Sequence, residues 1–249
     1  MWVTTLPPDQ FRIFFVIAII STVITLLIAF RTRLYHSAPG VKPFIALMFN
    51  LALWTGSIAL GMVAQNEQSA VFWIILRMVG VILCPLFWFL FVLQFSNREK
   101  WLRPWVIAGY TIIPVISILL LLTNHLHHLF IRDYGFVKYG PYLIDEIWTL
   151  GPYFWIHFAY SYSLTLIGDF FLLQEAYKLS HTYRRQAVLL ILATFSPLLI
   201  NVSFSFHLIP DLKVNYDPLG LVLAGIFIGW ALYFNRLFDL TPIARIILV

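Results

Sequence analysis

Strongly polar side chains are sparse in this chain, and the few that fall inside long apolar runs are where chemistry would be done. Arg77 stands within VFWIILRMVGVIL, His157 within PYFWIHFAYSYSL and Asn201 within SPLLINVSF. An ionisable group in such a run is costly, and marks a functional site by default. Arginine offers a planar fork of donors matched to a carboxylate. Histidine both donates and accepts, and Tyr160 and Ser161 follow His157 by three and four residues, on the same helical face. Trp73 stands one turn before Arg77, and indole rings enclose apolar or aromatic bodies. Arg77, His157, Tyr160, Ser161, Asn201 and Trp73 would together hold a small amphipathic molecule, with an anionic head suited to the guanidinium. The structural alternative is that Arg77 snorkels to the membrane interface and His157 bonds a neighbouring helix.

Asp169 is the only acid inside an apolar run, and Asn50 lies at comparable depth in another. One reading is a structural pair, Asp169 bonding Asn50 or a nearby loop arginine. The other is a switch contact that changes with ligand. His125, His127 and His128 cluster between two runs. Three histidines in four consecutive residues match no zinc-ligand spacing, so a structured loop is expected, with no metal and no cofactor.

The elements that carry these residues are long. A membrane-spanning helix needs about 20 mostly apolar residues to cross ~30 Å of hydrocarbon. Seven runs qualify: residues 11–30, 44–64, 71–95, 105–123, 152–174, 187–209 and 218–235. Each must be helical, because lipid offers exposed amides no partner. Counted from one end of their spans, Arg77, His157 and Asn201 lie at depths of ~9, ~8 and ~12 Å. This shared layer predicts a pocket opening on that side. Pro85, Pro114 and Pro197 fall inside spans, where each can kink its helix.

Composition agrees. Hydrophobic residues make up 61% of the 249 and charged residues 11%, against about half and a quarter in soluble domains. A disordered chain, a nucleic-acid-binding domain and an ordinary soluble enzyme are excluded. The single cysteine, Cys84, excludes a disulfide within the chain. The net charge of +5 is explained by loops. With the N-terminus outside, Arg31, Arg33, Lys42, Arg98, Lys100, Arg103, Lys178, Arg184, Arg185, Arg236 and Arg245 face the cytoplasm, and only Arg132, Lys138 and Lys213 face out. Basic loops stay inside, so the expectation is an all-α membrane protein, a seven-helix bundle with its N-terminus outside and its C-terminus cytoplasmic. The first run is too long, and its leader too poor in basic residues, for a cleavable signal peptide.

Most loops are short. The exception, residues 124–151, alternates aromatic residues with Tyr-Gly and Gly-Pro, and predicts a short β-hairpin or structured lid. All five lysines lie in loops, which removes a retinal Schiff base. No internal repeat supports a small-solute transporter, the main alternative function, and no hydrolase or zincin motif supports an enzyme.

Several stretches carry a resemblance: FWIILRMVGVILCPLFWFLFVLQFSNREKWL, TNHLHHLF, GPYFWIHFAYSYSLTLIG, YRRQAVLLILATFSPLLIN and GWALYFNRLFDLTPIAR. Through them the chain resembles the N-terminal seven-transmembrane receptor region of bacterial membrane-bound sensor histidine kinases. The resemblance implies an input module in the plasma membrane that works as a homodimer and drives a cytoplasmic kinase or other effector. The signal would leave through the last helix and LFDLTPIARIILV. Residues 1–240 are then the sensor domain and 241–249 the start of the transmission segment, with Asp239 and Pro242 at the exit. Thr241 would cap a new helix beginning at Pro242. No phosphoacceptor box or Gly-rich nucleotide lid occurs in the 249 residues, so no catalysis is expected of them.

Overall fold

Lipid leaves an apolar run one way to satisfy its backbone, and the long runs are helices here. The computed structural model describes residues 8–145, 149–178, 181–206, 208, 217–234 and 237–238. The helices are α1 (Pro8–Thr32), α2 (Val41–Met62), α3 (Glu67–Phe95), α4 (Pro104–Leu122), the short α5 (Asn124–His127), α6 (Pro152–Lys178), α7 (His181–Ser205) and α8 (Asp217–Tyr233). Local signals set several ends. The Asn66 side chain accepts the Ser69 amide at 2.9 Å and caps α3. Pro104 opens α4, where its missing N–H costs nothing. α3, α4 and α7 each run on through an internal proline.

Among the described residues, six helices are long and apolar enough to cross a membrane. The seventh, α8, has 17 residues, shorter than the expected run over 218–235. Asp239, Thr241 and Pro242, and with them the expected break before a second exit helix, lie outside the described residues.

Six helices form a closed ring. α1 packs on α2, α2 on α3, α3 on α6, α6 on α7, α7 on α8, and α8 returns to α1. α4 stands outside it, against α3 and α6; it buries only Pro114, Ser117 and Leu121 and leaves Trp105 70% exposed. Ring contacts are close where small residues meet. A Cβ on Gly80 of α3 would come within 2.9 Å of Trp54 on α2, and one on Gly220 of α8 within 2.6 Å of the Pro197 backbone on α7. Without a hydrophobic drive between helices in lipid, such close packing holds them together. Polar contacts add to it: Asn50 Nδ2 donates to the Gly80 carbonyl at 2.7 Å, and the Thr22 and Thr55 hydroxyls lie 2.9 Å apart. The outward faces are apolar as well, with Val16, Ile20, Leu119, Leu199 and Ile226 exposed, as a lipid-facing surface requires.

The segment between α5 and α6 is two nested antiparallel pairs. β1 (Ile131–Asp133) pairs with β4 (Thr149–Leu150), and β2 (Phe136–Tyr139) with β3 (Tyr142–Asp145), Tyr139 opposite Tyr142 and Phe136 opposite Asp145. Asn124 fixes its root: Oδ1 accepts the Phe130 and Ile131 amides at 3.0 and 3.1 Å, and Nδ2 donates to the Ile131 carbonyl at 2.8 Å. The hairpin lies across one end of the ring. Its Leu143 amide donates to the Ala64 carbonyl at 2.7 Å, and the Phe11 ring of α1 stacks on Tyr139 at 4.3 Å. The expected lid is thus a hairpin, and the fold is not purely helical. His127 is part of its architecture, Nδ1 accepting the Leu129 amide at 3.0 Å and Nε2 lying 3.1 Å from the Thr123 hydroxyl.

At the opposite end the chain turns back after α8. The Leu237 amide donates to the Ala231 carbonyl at 3.1 Å, and Leu237 and Phe238 are buried. The Phe238 ring sits 5.3 Å from Phe44, 6.1 Å from Tyr35 and 6.4 Å from Phe91.

Candidate functional site

A cavity of about 160 Å³ lies between the ring helices. Stripes from α2, α3, α6, α7 and α8, with Leu150 of β4, line it, and most of the lining is apolar. On α3 the stripe is Arg77, Val81, Cys84 and Trp88, with Met78 and Pro85 beside it, the spacing that places residues on one helical face.

Of the residues the sequence singled out, Arg77, His157, Ser161 and Asn201 line this cavity. Tyr160 does not: its hydroxyl donates at 2.6 Å to the Tyr110 carbonyl on α4. Trp73 is also outside the lining; it lies against Gly61 of α2. Helical rotation gives the reason for Tyr160. At about 100° per residue, Tyr160 lies about 60° to one side of His157, and Ser161 and Tyr162 about 40° and 140° to the other. α4 occupies the first side and the cavity the second, so Tyr162 takes the place expected of Tyr160. The Tyr162 hydroxyl donates to Asn201 Oδ1 at 3.0 Å.

Arg77 is 2% exposed, so it does not snorkel. Its Nη2 donates to Asp145 Oδ2 of β3 at 2.6 Å, with the two side chains 3% and 10% exposed. This carboxylate reaches the guanidinium from the lid, across 68 positions of sequence; the only hint in the sequence was an acid in a loop on the same side.

His157, also 2% exposed, is held from both ring nitrogens. Nδ1 is 3.0 Å from Ser117 Oγ of α4 and Nε2 is 3.0 Å from Ser161 Oγ. Ser117 spends its own hydrogen on the Ile113 carbonyl at 2.7 Å. In the neutral ring this network assigns the hydrogen to Nδ1 and makes Nε2 the acceptor from Ser161. His157 therefore bonds a neighbouring helix and faces the cavity at once.

Asp217, the first residue of α8, is buried and lines the cavity together with Thr165 and Thr194. The expected run at 218–235 left Asp217 just outside it, although Asp-Pro before an apolar run is itself a helix-start signal. The lining thus carries a guanidinium and a carboxylate rather than a cation alone.

Asp169 and Asn50 do not bond each other. Asp169 Oδ2 accepts from the Thr194 hydroxyl at 2.9 Å, one helix over on α7, while Asn50 is committed to Gly80. Asp169 is thereby one step removed from the cavity wall, through Thr194.

The cavity is concave and mostly apolar, with a few polar groups converging on it, the general character of small-molecule sites. The family described as the N-terminal 7TM region of histidine kinase matches residues 14–242. Comparison with curated proteins gives no match.

Proposed function

The chain belongs to the family of N-terminal seven-transmembrane regions of histidine kinases, and from that premise we propose that it is a ligand-gated sensor module. The hairpin end faces outside and the basic end faces the cytoplasm, because Arg31, Arg33, Lys42, Arg98, Lys100, Arg103, Arg184 and Arg185 all flank the basic end. The module sits as a multi-pass protein in the plasma membrane, pairs as a dimer and drives a downstream kinase domain of the parent protein. Its ligand is a small amphipathic molecule, apolar body among Val81, Trp88 and Leu221, polar head toward Arg77, His157 and Asn201. The change leaves through α8, whose stripe Asp217, Leu221, Ala224 and Ile228 lines the cavity, and past Phe238 toward Asp239 and Pro242.

The observation that carries this reading is the convergence of Arg77, His157 and Asn201, from three helices, on one cavity, with the hairpin tied to Arg77 through Asp145. Its test is native mass spectrometry of the chain released from cell membranes. A small molecule should stay with the wild type and be lost from Arg77→Ala. A chain that carries no bound molecule, or carries the same one after both Arg77→Ala and Trp88→Ala, would sink the pocket.

A further inference from the structure

The structure already holds a carboxylate on Arg77, and that carboxylate belongs to the lid. The Arg77–Asp145 contact is nearly dry on both sides. A guanidinium in such a place cannot be left unpaired without a large penalty, but exchanging one carboxylate for another leaves it paired throughout. Asp145 is also mechanically placed. It closes β3, two residues from Leu143, whose amide holds the hairpin to the Ala64 carbonyl at the α2–α3 turn. The far end of the same hairpin is pinned separately, where Phe11 stacks on Tyr139. Loss of the Asp145 contact would therefore tilt the β3 end away from Arg77 rather than free the hairpin.

We propose that the ligand of this cavity is a carboxylate-headed amphiphile that takes the place of Asp145 on Arg77, so that Asp145 is a built-in competitor and its release lifts the hairpin. This rests on the pocket reading above and narrows it: a neutral molecule of the same shape enters the apolar cavity and leaves the lid latched. The cavity volume sets the size of the body. About 160 Å³ is close to the roughly 150 Å³ that accepts a benzene ring, which makes benzoate and benzamide a matched pair of probes, alike in shape and different in charge.

The experiment uses the whole chain in lipid nanodiscs, with calorimetry for affinity and hydrogen exchange of the 136–145 hairpin for the lid. Benzoate should accelerate exchange at the hairpin and benzamide should not. Asp145→Asn should speed exchange without any ligand. It should also bind benzoate about tenfold tighter than wild type, because the competent fraction is no longer held down by the resident acid, while its benzamide affinity stays put. Asp145→Glu, which keeps the carboxylate, should bind benzoate as wild type does. Should Asp145→Asn fail to fold, the benzoate–benzamide contrast in hairpin exchange of the wild type decides alone. Benzoate binding equal or weaker in Asp145→Asn, or benzoate binding with no change in the hairpin, overturns the exchange while benzamide binding leaves the pocket standing. Uptake of neither probe overturns both.

Discussion

Ser117 Oγ lies 3.0 Å from His157 Nδ1, and through this contact the helix outside the ring touches a residue that lines the cavity inside it. α4 is otherwise attached mainly by apolar packing and by the Tyr160 hydroxyl on the Tyr110 carbonyl. The pair gives α4 a direct hold on the site.

Removing that hold should cost stability. Ser117→Ala leaves the buried Nδ1–H without its acceptor, a penalty of about 1–3 kcal/mol. A lower thermal midpoint in detergent is expected for Ser117→Ala, with Ser117→Thr close to wild type. Equal midpoints for all three would show that the contact contributes nothing.

Arg77 should matter as a fork and not only as a charge. Loss of a charge-assisted hydrogen bond predicts that Arg77→Ala weakens benzoate binding by roughly tenfold to a few hundredfold. Arg77→Lys should also lose affinity, since a point charge cannot reproduce the planar donor set. Lys42→Ala, on an exposed residue at the other end, is the control. Wild-type affinity in Arg77→Lys would argue against recognition by the guanidinium.

Arg98 is a structural clamp and not the inert loop residue its position suggests. Its Nη2 donates to Gln174 Oε1 at 2.6 Å, and the guanidinium stands 3.8 Å from the Phe171 ring centroid, joining the α3–α4 connection to α6. Arg98→Ala should lower stability by about 1–2 kcal/mol with benzoate affinity retained in the folded fraction. Chemical denaturation of the two proteins in the same micelle checks it.

Orientation is open to direct chemistry. In a Cys84→Ala background, a membrane-impermeant maleimide applied to intact cells should label a cysteine placed at Gln68, at the hairpin end, and spare one at Arg184. The reverse pattern would invert the bundle.

The exit should be separable from the site. Phe238 is packed on Phe44 and Phe91 and does not itself line the cavity, although Phe91 touches the lining residue Trp88. In the parent protein, Phe238→Ala should blunt the ligand response of the kinase while benzoate binding by the module persists. Loss of binding and response together would place Phe238 in folding rather than in transmission.

What the sequence determined by itself follows from a local rule. Lipid forces every long apolar run to bond its own backbone, so the helices could be located from hydrophobicity alone, and the run at 105–123 became Pro104–Leu122. Family membership was equally legible: strings such as YRRQ and RLFDLTPIAR carried the resemblance, and the family matches residues 14–242. The same composition hides which face of each helix turns inward. These helices are apolar on the lipid side as well as the core side, so no periodicity sets their rotation. Only packing decided that α4 stands outside the ring, that Tyr162 rather than Tyr160 meets the cavity, and that Asp169 bonds Thr194 instead of Asn50. Asp145 is the clearest case. Its pairing with Arg77 depends on a hairpin folding back across the bundle end, a contact between distant residues that no local pattern encodes.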